Sequence, residues 1–351
     1  MMSLRLFWAV IAIGLALMAT AGLSRHAVAG DNTSKPQTVV RFSVNPVAYP
    51  NLPIFLAIDK GYFAAEGIEL QVTKYSGSSV TQMPLAARGD LDITVMVGGP
   101  ALFNQQSEGF DIKIIASMAE SKAGWNDGEW VMVREDLWDS GAIRRLSDLK
   151  GRKVDGGPDG SPVSFLLNQA LAKVGLGRGD VIYSKKLATP PDWIAAFRNQ
   201  AADALAVVEP IATLLQSQGL AHKLVSDQDV IPWFQATYFI ASQKYVQDNP
   251  AVIAAFLRGY LKAAAEVTAG NGKWTPDLLA EVVKWSKFPE ADIAEIPGPT
   301  YVGQLGAINL MSLERQQDYL VQIGEVRKKI DVTSLVDPGP LHAARRQMGI
   351  E

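Results

Sequence analysis

Apolar and polar positions fall into one unit that occurs twice. From Arg88 to Pro100 (RGDLDITVMVGGP) a helix end and a polar turn lead through an acidic residue into the apolar run Ile93–Val97, and a proline follows. From Arg198 to Pro210 (RNQAADALAVVEP) the same order returns. A short apolar run without alternation predicts a strand buried on both faces. A helix pattern follows each proline. Two copies of one strand-to-helix unit predict two lobes built alike.

The flanking patterns extend each copy. Residues 39–44 (VVRFSV) and 68–74 (IELQVTK) predict strands, and 52–63 (LPIFLAIDKGYF) predicts a helix stopped by Gly61. Gly77-Ser78-Ser79 opens a helix ending near Arg88, and 111–119 is one more strand. The polar stretch 120–129, ahead of the apolar 130–133, predicts the first crossing between lobes. In the second lobe, Ser161 is a suitable N-cap and Pro162 a suitable first residue for a helix over 163–174. Strands at 181–183, 204–208 and 223–225 follow, and the chain recrosses around 233–238. Residues 239–242 rejoin the first lobe as a strand, and the pattern from Asn249-Pro250 onward predicts a helical buttress on that lobe. The expectation is an α/β fold: two lobes with parallel-type sheets joined by two crossing segments. Its boundaries are 30–125 and 237–351 for the first lobe and 126–236 for the second.

Residues 1–29 are set apart. Arg5 precedes an almost wholly apolar stretch, 6–18, and Ala27-Val28-Ala29 forms a small-x-small cleavage box. This predicts a secretory signal peptide cleaved after Ala29, with an uncleaved anchor as the plainer alternative. None of the 351 residues is cysteine. That excludes disulfides, thiolate chemistry and a lipoprotein anchored through cysteine, and a periplasmic location is expected. The formal charge is −3, and removing the leader takes Arg5 and Arg25 but no acid. Nucleic acid and anionic membrane are therefore not expected partners.

Five strand-end loops open helices: Gly77-Ser78-Ser79, Gly98-Gly99-Pro100, Asp159-Gly160-Ser161, Thr189-Pro190-Pro191 and Glu209-Pro210. Ligands of open α/β sheets sit outside the carboxyl ends of the strands, where helix N-termini offer free N–H groups. Each loop alone reads as a well-capped helix start; five on matched lobes predict a cleft. Tyr49, Trp125, Trp130, Trp193, Trp233, Phe234 and Tyr238 fall near these loops or crossings and would stack on an organic ligand. Core packing is the plainer reading, and it is preferred for Trp193. Asp155, Asp159, Asp192, Glu209 and Glu129 would meet a cationic group, or else cap helices. The loops hold no basic residue, though Lys185 and Lys186 are close, so the sign of the ligand's charge stays open.

Enzyme signatures fail. There is no G-x-S-x-G elbow and no P-loop. Beyond the leader, His222 and His342 stand in unrelated contexts. Neither a cofactor nor a metal is expected.

Several segments together carry a likeness. They are 57–63 (AIDKGYF) with Glu66-Gly67-Ile68, Ser76-Gly77-Ser78, and 89–93 (GDLDI) with Gly98-Gly99-Pro100. The second lobe adds 146–154 (LSDLKGRKV), Gly160-Ser161, and Ala202-Asp203-Ala204 with Glu209-Pro210. In order and spacing they resemble the solute-binding proteins of ABC importers, in the nitrate/sulfonate/taurine-type family that includes binders of thiamine-pyrimidine precursors. The resemblance implies a type II periplasmic binding fold closing on a small sulfonate, carboxylate, or aromatic or heterocyclic ligand. It also implies a membrane permease and ATPase as partners, and a monomer is expected. Carried over position by position, it points to Asn45, Tyr49, Gly77, Ser78, Ser79, Gly98, Gly99, Gly160, Ser161 and Glu209 as the pocket, with Trp125, Trp233 and Tyr238 as candidate aromatic walls. The segment 122–129 (KAGWNDGE) departs from the family by being longer and more polar. Two rival readings are a pyrimidine synthase, which in related fungal enzymes needs a cysteine-rich stretch this chain lacks, and a ligand-loaded sensor partner.

Overall fold

The short apolar runs 93–97, 130–133, 204–208 and 238–241 become inner strands of two sheets. The computed structural model describes residues 37–46, 49–76, 78–184, 187 and 189–350; the expected leader and Gly77 lie outside these. The first sheet holds β1 (Thr38–Val44), β2 (Ile68–Lys74), β3 (Ile93–Val97), β4 (Ile112–Ala119) and β10 (Thr237–Ser242), in the order β2-β1-β3-β10-β4. The second holds β5 (Glu129–Arg134), β6 (Lys153–Asp155), β7 (Ile182–Tyr183), β8 (Ala204–Val208) and β9 (Ala221–Ser226), in the order β7-β6-β8-β5-β9. One order maps onto the other, as the repeated unit predicts.

Both sheets are mixed. β1 pairs in parallel with β2 and β3, while β10 runs antiparallel between β3 and β4. β6 pairs in parallel with β7 and β8, while β5 runs antiparallel between β8 and β9. The antiparallel strand in each sheet is the one the chain enters after crossing. β4 ends on the carboxyl edge of the first sheet, and β5 starts on that edge of the second, with Glu129 opposite Val208. β9 and β10 return the same way, with Thr237 opposite Val97. The crossings therefore join the two carboxyl edges, and the loops there face one another.

The acidic residue of each repeated unit has the same task. Asp92 Oδ2 accepts the Arg41 amide of β1 at 2.7 Å, and Asp203 Oδ2 accepts the Lys153 amide of β6 at 3.0 Å. Each also pairs with an arginine, Arg41 or Arg134. Around the first sheet, Phe42, Phe239, Phe256 and Tyr260 are fully buried. Phe239 and Tyr260 meet edge-on with centroids 4.7 Å apart, a geometry that adds about 0.5–1.5 kcal/mol to area burial.

The helical tail touches both lobes. Helix Pro250–Ala269 packs on the first sheet, where Phe256 stacks on Phe63 at 5.0 Å. Helix Leu310–Gln322 reaches β10 of the first sheet through Gln316 Nε2, which donates to the Tyr238 hydroxyl at 3.2 Å. It reaches helix Pro162–Lys173 of the second through the Tyr319 hydroxyl, 2.9 Å from Ser164 Oγ and from Asn168 Nδ2.

Candidate functional site

On the first carboxyl edge, short hydrogen bonds lock the loops in place. Asn51 Nδ2 donates to Asn45 O at 2.8 Å, which fixes the turn Tyr49–Asn51 after β1. Ser78 caps the turn Ser79–Gln82 through the Val80 amide. Ser79 is buried, and its Oγ accepts the Val97 amide at 3.0 Å, tying the loop after β2 to the end of β3. Gly98 donates to Ala236 O at 2.7 Å. This edge is neutral at every group named.

The glycines face the other lobe. A Cβ on Gly99 would lie 3.4 Å from Gly160 O, and one on Gly160 would lie 2.5 Å from Pro100 Cγ. The strand-end loops of the two lobes thus meet backbone to backbone, which only glycine permits at Gly160, where φ is +78°.

On the second edge, Ser161 caps its helix by accepting the Ser164 amide at 3.3 Å. Asp155 is buried and used in full, accepting Gly157 N at 2.7 Å, Ser184 Oγ at 2.9 Å and Leu187 N at 3.2 Å. Glu209 accepts the Thr213 amide and hydroxyl and the Lys223 ammonium, the last at 2.8 Å. Lys223 in turn lies 4.7 Å from the Trp130 ring centre. Glu209 stands where the sequence places it, but its charge is already matched.

Beside that pair lies a group of polar side chains whose needs are not met. Asn126 is 3 % exposed, and neither of its amide atoms has a partner. Asp127 Oδ1, Glu129 Oε2, Trp130 Nε1 and Gln228 Oε1 are also buried without partners. Burial pushes the Asp127 carboxyl up to about 6, against the pull of the Ser226 hydroxyl, and the nearby Asp229 and Glu209 charges add to the rise. Burial holds Glu129 well above the usual carboxylate range, with Asp227 adding to it. Asp227 is raised by burial and by Asp127, although the Gln228 amide donates to it at 3.0 Å. These residues occupy the start of β5 and the end of β9, on the carboxyl edge.

Not every expected residue joins the edges. Tyr238 is 0 % exposed, and its hydroxyl donates to Gln235 O at 2.6 Å, so it belongs to the core between the lobes and not to a cleft wall. β10 is an inner strand, buried on both faces, which the apolar run 237–241 could have signalled. Trp125 packs on Tyr301 of the tail with centroids 5.1 Å apart. Trp233 is 48 % exposed and lines a cavity of about 580 Å³ beside the crossing, with Phe165, Asn309, Met311 and Arg315; Phe165 also lines the gap among Gly98, Gly99 and Gly160. Trp193 is core. Of the expected acids, Glu129 enters the unmet group, whereas Asn126, Asp127 and Asp227 were not singled out from the sequence. The one sequence signal for Asn126 and Asp127 is the polar stretch 122–129 itself.

The NMT1/THI5 like family model matches residues 50–270. YtlA of Bacillus subtilis (strain 168), a candidate binding protein by its name, is 24 % identical over 301 residues, 81 % of this chain and 83 % of its own. The periplasmic aliphatic sulphonate binding protein SsuA from Escherichia coli shares the fold at 22 % identity and a TM-score of 0.68, over 86 % of this chain and 97 % of that one. So does the periplasmic nitrate-binding protein NrtA from Synechocystis PCC 6803, at 15 % identity and 0.72, over 90 % of each chain. The desulfurization enzyme DSZB is also similar, at 16 % identity and 0.63, over 89 % of this chain and 100 % of that one. The fold alone does not separate capture from catalysis.

Proposed function

Because the chain belongs to the NMT1/THI5-like family and has the periplasmic binding protein fold, we propose that it is the substrate-binding component of an ABC importer. In this reading the leader 1–29 exports it to the periplasm, where it works with a membrane permease and ATPase. It captures a small organic molecule between the two carboxyl edges and leaves that molecule chemically unchanged.

The observation that carries the reading is the meeting of Gly99 and Gly160 across the lobes. A ligand bridging both edges makes its full set of contacts only when the edges are together, so it shifts the population toward the closed form. Asn45, Tyr49, Gly77 and Ser78 would supply one side, and Gly160 and Ser161 the other. The absence of cysteine and the placement of His222, stacked on Trp138 at 3.8 Å, favour capture over an acyl- or metal-type reaction.

Thermal unfolding against sulfonates, carboxylates, pyrimidines and amines tests this, with small-angle scattering on any hit. A ligand that binds only the folded protein stabilises it by about 2.7 kcal/mol at a hundred times its dissociation constant. A hit that also compacts the particle supports capture by closure. Turnover of a hit into a new compound overturns it.

A further inference from the structure

The unmet polar group on the second edge bears on what the ligand is. Asn126, Asp127 and Glu129 lead into β5, and Asp227 follows β9, which pairs with it through Trp130 and Ser226; a Cβ on Gly128 would lie 4.0 Å from Asp227 Oδ2. Within this stretch Asp227 acts on Glu129, and Asp127 acts on Asp227. Lys223 is near enough to act on Asp127, but Glu209 already holds it at 2.8 Å. The polar atoms left over are Asp127 Oδ1, Glu129 Oε2, Gln228 Oε1, both amide atoms of Asn126 and Trp130 Nε1; the two carboxyl oxygens become acceptors once ionised. On the opposite edge, Asn51 is 1 % exposed and leaves Oδ1 unpartnered while Nδ2 holds Asn45 O, so a further acceptor waits there.

Burying carboxylates without a cation is costly, and a chain shaped for stability alone would fill such a place with apolar side chains. Burial avoids that cost by keeping these carboxyls protonated; an incoming cation lets them ionise and accept from it, whereas an incoming anion holds them protonated. Among the described residues no group of His, Asp and Glu is arranged to hold a metal ion, which leaves an organic donor.

We propose that the ligand presents a cationic nitrogen group, an amine, an amidine or a protonated nitrogen heterocycle, to a receptor formed by Asn126, Asp127, Glu129 and Asp227. This rests on the capture reading above and departs from the anions named for SsuA and NrtA. Trp130 Nε1, a buried donor without a partner, is positioned to take an acceptor atom on the same ligand.

The test is calorimetry with matched probes, benzamidine against benzenesulfonate and putrescine against 1-butanesulfonate, on the wild type, Asp127→Asn and Glu129→Gln. Thermal midpoints of the three unliganded proteins are measured alongside at mildly alkaline pH. The expected result is that the cationic probe of a pair binds at least about tenfold tighter and that either variant loses that preference. The unliganded variants should melt higher, by about 2 °C or more, because an unpaired buried acid is gone. Tighter binding of a sulfonate, kept in both variants, overturns this proposal and leaves capture standing. Variants that melt lower mark the group as structural and overturn it regardless of the probes. If, in addition, no probe binds any of the three proteins, the capture reading loses support as well. Higher-melting variants support the receptor even where these probes are too small to fill it.

Discussion

In the first copy of the repeated unit, Asp92 holds a β1 amide and an arginine; in the second, Asp203 holds a β6 amide and an arginine. At the other end of the same strands the copies part. β3 runs into Gly98-Gly99, which lets the opposite backbone approach, and β8 runs into Glu209, a buried carboxylate matched by Lys223. At the end remote from the facing edges, both copies have one task, which is holding strands in register. At the other end each copy meets a different neighbour, the opposite loop at Gly99 and Lys223 at Glu209.

The largest effect should come from the differing end. Lys223→Met leaves Glu209 buried without its cation, and breaking such a pair costs about 3–5 kcal/mol. Urea unfolding measures it; a loss under about 1 kcal/mol would mean solvent screens Glu209 and the pair resembles a surface bridge. Next come the matched ends. Asp92→Ala and Asp203→Ala should each cost about 1.5–3 kcal/mol, the range for hydrogen bonds to a charged group. Unequal losses in the same titration would break the equivalence of the two copies. Ser161→Ala removes one N-cap and should cost about 1 kcal/mol in urea unfolding. A silent substitution would show that Pro162 and the packing of the helix suffice.

A further effect is a dependence on pH. Asp127 rises from 3.8 to about 6 in the folded chain. Its contribution is fully present below 3.8 and is lost as pH rises through about 6, since the unfolded chain releases the proton first. The midpoint of the wild type, relative to Asp127→Asn, should therefore fall across that window. A difference that stays flat would place Asp127 in solvent.

The sequence made most of the fold legible. Strands Ile68–Lys74 and Ile93–Val97 lie where the apolar pattern puts them, and Ser161 caps the helix it was expected to cap. These features are local: a strand's periodicity and a cap's chemistry are complete within a few residues. The site was less legible because its properties depend on distant partners. Glu209 draws its cation from β9, and no local signal tells which way Lys223 points. Asp227 sits in the capping sequence 226–229, which reads as an ordinary helix start. Its burial comes from the crossing segment packing beside it. The antiparallel insertion of β5 and β10 was also hidden, since a strand's direction is set by the chain path and not by its residues.

One serine at the crossing has a mechanical consequence. Ser121 donates its amide to Phe234 O at 2.9 Å and accepts the Trp233 amide at 3.2 Å on its carbonyl; its Oγ accepts the Phe234 amide at 2.9 Å. The two connecting strips are riveted at that point. Neither can slide past the other without breaking all three bonds, as two leaves of a hinge cannot shift along their pin.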